Sequence, residues 1–173
     1  MILDGLLQFS AVAGDSPTVT ANSTNILDLH LVGIPVLASG QGARDLGIGD
    51  DPAMKLLVLV TTAFTGLTSL QVSLQGSPDN GAGAPLGFVT WYSSPVVALA
   101  NLIQGARLLD MDVPRPPVNQ PIPRFLQLAY TIVGTATGGV LKSWIVLDRH
   151  DLVYNAAINS IHGGYPPGVV VNN

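Results

Sequence analysis

Apolar residues alternate with polar ones along several short stretches, and no long stretch keeps the 3.6-residue spacing of an amphipathic helix. Between Thr68 and Gln75, Leu70, Val72 and Leu74 alternate with Ser69, Gln71, Ser73 and Gln75. This period of two turns an aliphatic row inward and a neutral polar row outward, as in a half-buried strand. Pro78-Asp79-Asn80-Gly81 follows as a turn, since Asn and Gly accept the positive φ that such turns use. Residues 107 to 113 alternate in the same way, with Leu109, Met111 and Val113 opposed to Leu108, Asp110 and Asp112. In 124 to 133 the row is Leu126, Leu128, Tyr130 and Ile132. Residues 54–61 and 141–147 are apolar at nearly every position, which predicts central strands or strands whose second face a neighbouring subunit buries. With 18–29, 86–91 and 96–102 the count reaches about eight strands. That number predicts an all-β, jelly-roll-type sandwich of two sheets.

The ends read differently. Residues 1–12 carry Ile2, Leu3, Leu6, Leu7 and Phe9, too apolar for a solvated tail and too short for an isolated helix. The stretch 151–173 holds Tyr154 and the run Gly163-Gly164-Tyr165-Pro166-Pro167-Gly168, with little to pack on its own. The expected organisation is an N-terminal arm over 1–12, a sandwich over 13–150 and a C-terminal arm over 151–173.

Composition sharpens this picture. Only 10% of the 173 residues are charged, against about 25% in an ordinary soluble domain, while 47% are hydrophobic and mean hydropathy is +0.44. So few charges cannot cover a monomer's surface, which predicts that copies of the chain or another protein cover much of it. All eleven acidic residues are Asp, and Lys occurs only twice. Glu and Lys favour exposed helix faces and Asp favours turns, so this usage again argues for strands and loops. The longest aliphatic run, Leu56 to Val60, is far shorter than the ~20 residues of a spanning helix, and no membrane partner is expected. Seven scattered basic residues in a chain of net charge −4 give no basic patch for nucleic acid. The first residues lack the basic region of a signal peptide, which predicts a protein made and kept in the cytoplasm until it assembles.

Candidate chemistry is sparse. With no cysteine there is no disulfide, thiolate metal site or Cys nucleophile. Gly47-Ile48-Gly49-Asp50 matches the GxGD string of intramembrane aspartyl proteases, whose second aspartate needs a transmembrane helix that this chain lacks. Asp45, Asp50 and Asp51 offer oxygen ligands in a Gly-rich loop, but their spacing is not that of an EF-hand. His30, His150 and His162 have no ligand spacing, and without Glu a cupin-type metal site lacks its usual donors. No serine stands in Gly-x-Ser-x-Gly. No catalytic residue, cofactor or metal is therefore expected. Pro114-Arg115-Pro116-Pro117 reads as a stiff connection before an SH3 ligand, and Asn22-Ser23-Thr24 as an unused sequon. Trp91-Tyr92 is either an interface or sugar-stacking pair, or the aromatic lid of the core.

Three stretches carry a family resemblance. They are Met1 to Ser10, leading through Val19-Thr20-Ala21 to Ser23-Thr24-Asn25-Ile26-Leu27-Asp28-Leu29; Arg44-Asp45-Leu46-Gly47-Ile48-Gly49; and Pro123-Arg124-Phe125-Leu126-Gln127-Leu128-Ala129-Tyr130-Thr131-Ile132. In this order and spacing, over about residues 1–149, the chain resembles the small jelly-roll cement (decoration) proteins of tailed bacteriophage capsids. The resemblance implies a homotrimer on the outer surface of the virion, seated on the lattice of the phage major capsid protein. Contacts with capsid or sister subunits would then come from Ile2, Leu3, Leu6, Leu7, Phe9, Trp91, Tyr92, Tyr154, Tyr165, Pro166 and Pro167. The competing expectations are a glycan-binding module of a virion or appendage, and a cupin-type enzyme.

Overall fold

The computed structural model describes residues 7–29, 54–118, 120 and 123–146, and the backbone of 153–155 and 160–162. Among the described residues nine strands follow one another: β1 (Ala21–Asn22), β2 (Leu27–Asp28), β3 (Lys55–Ser77), β4 (Val89–Ser93), β5 (Val97–Ala98), β6 (Arg107–Asp112), β7 (Phe125–Val146), β8 (Val153–Asn155) and β9 (Ser160–His162). The first seven form one antiparallel sheet, and β8 and β9 form a separate hairpin. The described residues are nearly all β, as the alternation predicts. The strand boundaries differ, however. Residues 55–61 and 68–75 belong to one strand of 23 residues, and 125–133 and 141–146 to one of 22.

β3 and β7 pair along their whole length, from Lys55 opposite Val146 to Ser77 opposite Phe125. Laid flat, such a ladder would run to roughly 75 Å, several times the radius of a domain this size. It does not run flat. The pairing register shifts at every step between Val60 and Ser69, and each bulge bends the strand and adds twist. Gly66 and Gly134 sit within this stretch at φ of 85° and 88°, a left-handed conformation that glycine adopts without the steric penalty of a Cβ.

The fold-back can be read from hydrogen bonds around Asp15. Its backbone exchanges a pair of 2.8 Å hydrogen bonds with Leu141, while its carboxylate accepts one of 2.8 Å from the Tyr130 hydroxyl. Tyr130 and Leu141 are eleven residues apart on one strand, roughly 36 Å if it were straight. One aspartate can touch both only because β7 doubles back. The sheet thus makes both layers of a sandwich. One layer holds residues 8–15, the second half of β7, the first half of β3 and β6. The other holds β1 and β2, the first half of β7, the second half of β3, and β4 and β5.

The core lies between the layers. Leu56, Val58 and Val60 from one half of β3 join Leu70, Val72 and Leu74 from the other, with Leu126, Leu128, Tyr130, Leu141 and Ile145 from β7, all essentially inaccessible to solvent. On the outer side of the first layer Leu57, Leu59, Trp144 and Val146 form a second buried cluster. This explains why both faces of 54–61 and 141–147 read as apolar: the chain itself buries the second face.

Asp15 is the polar centre of this core. Besides Tyr130, its carboxylate accepts hydrogen bonds from the backbone N–H of Ala11 and Thr24 and from the Thr24 hydroxyl. Burial, and then the adjacent Asp15 carboxylate, push the Tyr130 hydroxyl well above the usual tyrosine range. The unfolded chain ionises this phenol first, so its contribution is complete below about pH 10 and is lost as pH rises beyond that. Replacing Tyr130 by Phe should cost about 1–3 kcal/mol in urea unfolding at neutral pH, because a buried carboxylate loses a donor. The variant should also lose less stability than the wild type on going to strongly alkaline pH. An unchanged urea midpoint would mean that the layers are held together elsewhere.

Candidate interaction surface

The sequence-predicted contact residues separate into three groups. Leu7 and Phe9 are buried in the main core, Phe9 completely. The Phe9 N–H donates to the Ser143 carbonyl on one layer, and its own carbonyl accepts from Asn25, two residues beyond the Ser23 that pairs with Leu128 on the other. Phe9 is therefore part of the domain rather than of a free arm, and truncation of a buried Phe costs about 3–5 kcal/mol. The alternation of a short segment that lies across both layers is too brief to mark it as core. Ile2, Leu3, Leu6, Tyr165, Pro166 and Pro167 lie outside the described residues, as do Asp45, Asp50 and Asp51. Tyr154 lies on β8, opposite Ile161 of β9.

Trp91 and Tyr92 are half-buried and pack against the core. Tyr92 stands opposite Leu74, and the next registered pair is Gln75 with Thr90, which leaves Trp91 as the extra residue of a bulge. The bulge swings the indole over Gly76, where an added Cβ would come within 2.2 Å of the ring. Of the two readings of this pair, the geometry matches the aromatic lid on the core: the rings do not form an exposed platform.

The outer faces of the two layers differ in charge. On the first layer, Lys55 pairs with Asp112 and Arg107 with Asp110 (3.0 Å), around the strip of Leu57 and Leu59. Asp110 and Asp112 point to the same strand face, as their spacing predicts, and the face is charged. On the second layer, Ser69, Gln71, Ser73 and Gln75 of β3 point outward, opposite Val133, Thr131, Ala129 and Gln127 of β7. These side chains are bound to one another across the strands. Gln127 donates to Gln75 (2.7 Å), Gln75 to Thr90 (3.2 Å) and Gln71 to the Ser94 carbonyl (2.8 Å), and Ser73 shares a 2.8 Å hydrogen bond with Ser93. The face is polar and without charge; Ser73 and Gln127 on it are already buried by the chain, while Thr131, Val133 and Ser93 are exposed.

Charge reappears only at the end of this layer away from the bend. There the Arg124 guanidinium grips the Asp28 carboxylate with two 2.9 Å hydrogen bonds, bonds Asp79 as well, and lies 4.9 Å above the Phe125 ring. Such a bidentate, stacked arginine holds its partners in one orientation. Its hydrogen bond to Asp79 is the main reason that carboxyl sits below the usual aspartate range. Asp79 also accepts from the N–H of Gly81 and Gly83, and Asn80 from those of Ala82 and Ala84, so the turn is fixed by its own side chains. Neither this clamp nor the Asp15 centre can be found by local pattern, since Arg124 lies 45 and 96 residues from its two partners and Tyr130 lies 115 from Asp15. Among the described residues, no three His, Asp or Glu side chains converge on a metal-sized site.

These features define an all-β sandwich made from one doubled-back sheet, with a charged outer face on one layer and an uncharged one on the other. A sequence model of the Bbp16 family matches residues 11–145, and the chain belongs to that family. No curated protein matches the sequence.

Gly76→Ala tests the packing of Trp91 directly. The methyl group collides with the indole, so tryptophan emission should shift to the red and stability should fall by about 1–3 kcal/mol. Trp144 is buried and serves as the constant background. Unchanged emission and stability would place Trp91 away from Gly76 in solution.

Proposed function

We propose that this chain is a structural virion protein, a capsid cement protein that binds the outside of an assembled major-capsid-protein lattice as a homotrimer. The observation that carries the reading is the surface. A domain with only 10% charged residues also leaves one sandwich layer facing outward without a charge, apart from the Arg124 clamp at its end. Such a surface suits permanent coverage by protein better than life as a dispersed monomer.

Two further points support it. The resemblance to phage cement proteins spans about residues 1–149, nearly the stretch that the Bbp16 family match covers. The doubled-back sandwich is also a jelly-roll-like, two-layer β module of the kind that resemblance implies. In physical terms, a protein that binds the finished lattice but not its free subunits stabilises the shell by mass action. Three copies seated together hold on more tightly than one, because each bound copy raises the effective concentration of the next.

The glycan-binding alternative loses its best platform, since Trp91 and Tyr92 pack against the core instead of standing free. No observation favours it over the structural reading.

Co-sedimentation with expanded shells of the cognate major capsid protein tests the proposal. The expected result is saturable binding in multiples of three per lattice site, and no binding to unassembled capsid subunits. Failure to sediment with shells, or equal binding to free subunits, would remove the cement reading.

A further inference from the structure

The charged residues are distributed along the chain in blocks, and the fold sorts the blocks in space. Residues 16–27, 56–78, 80–106 and 125–141 contain no Asp, Glu, Lys, Arg or His. These four segments supply the bend of the β3–β7 ladder and all of the second layer except its Asp28, Asp79 and Arg124 end. Seven of the nine large hydrophobic residues that the described surface exposes fall in the same segments, among them Val96 (63%), Ile103 (61%) and Val133 (54%). Apolar exposure and absence of charge thus coincide along the chain, and Val133 brings both to the outer face of the second layer.

We infer that the uncharged outer face of the second layer, from Thr131 and Val133 of β7 across Ser69 and Gln71 to Ser93 and Ala98, is the surface by which copies of this chain contact one another. The inference rests on the homotrimer reading and assigns its interface. The occupant follows from charge. The chain carries a net charge of −4, so copies that meet through charged faces repel, whereas this face brings none of that charge into contact. A neutral face also offers no sign by which a charged lattice could be chosen, which leaves lattice recognition to other parts of the molecule. Desolvation points the same way. Burying polar groups is unfavourable when their hydrogen bonds are lost, but here the accessible Gln75, Gln71 and Ser93 already bond to neighbours on the same face, two of them to the buried Gln127 and Ser73. A sister subunit can cover them without having to supply partners, while Val133 provides apolar contact.

The test places single charges on this face. Val133→Asp and Thr131→Asp alter exposed side chains, and circular dichroism and thermal unfolding should match the wild type. Val12→Asp, at a valine that is 86% exposed and outside the face, is the control. In analytical ultracentrifugation the wild type and the Val12 variant should sediment near three chains of 17.9 kDa, and the two face variants should associate at least ~tenfold more weakly. Face variants that remain folded and assemble like the wild type would overturn the assignment, as would a wild type that stays monomeric at its highest soluble concentration. The shell assay is independent. Trimers that dissociate with Val133→Asp but never bind shells would keep this interface and remove the cement reading. Shell binding with unaffected face variants would do the reverse.

Discussion

Everything in this molecule depends on two strands of more than twenty residues doubling back on themselves. A continuous β3–β7 ladder gives one sheet, and only the bend around residues 60–69 and 133–140 turns it into two layers with a core between them. Glycines and register shifts permit that bend, but permission is not a clamp. The clamp is Asp15, whose backbone pairs with one half of β7 while its carboxylate holds the phenol of the other half. A buried carboxylate is a costly choice unless every lone pair is used. Here four donors converge on it from the first segment, from Thr24 and from Tyr130, so the group that would be most expensive to leave unmatched is the one that fixes how the layers meet.

The same doubling-back sorts the surface. Both far ends of the ladder come to one end of the sandwich, and there the chain places the Lys55–Asp112 pair and the Arg124 clamp. Away from that end, the bend and the outer face of the second layer carry no charge. A low charge content spread evenly would make a weakly soluble protein. Concentrated on one side, it makes a two-sided one, with a polar, charged flank and a flank suited to coverage by protein. This division is what the proposed assembly uses.

Much of this was legible in the sequence, and the limits have physical causes. Strand character came through because period-two alternation is a local signal: Leu70-Val72-Leu74 and Leu126-Leu128-Tyr130-Ile132 lie inward as their spacing predicts. The fusion of neighbouring strands did not, because Thr61 to Thr68 and Gly134 to Gly139 look like loops, and only cross-strand pairing shows them to be bulged ladder. Phe9 read as part of an arm because the segment around it is short, and its burial is set by residues more than a hundred positions away. Trp91 was ambiguous on its face, and the deciding neighbour, Gly76, is recognisable only once the bulge in β4 is seen. The blocks without Asp, Lys or Arg are visible in the chain itself, but the sequence hides how the ladder brings Ser69, Gln71, Thr131 and Val133 from two of them onto one outer face.

The most direct test of the account is an electron cryo-microscopy reconstruction of phage shells assembled together with this protein. The account predicts trimeric density on the outer surface at three-fold and quasi-three-fold positions, with each lobe fitting the doubled-back sandwich. Density confined to the tail or to a single vertex, or a shell surface without it, would contradict the account.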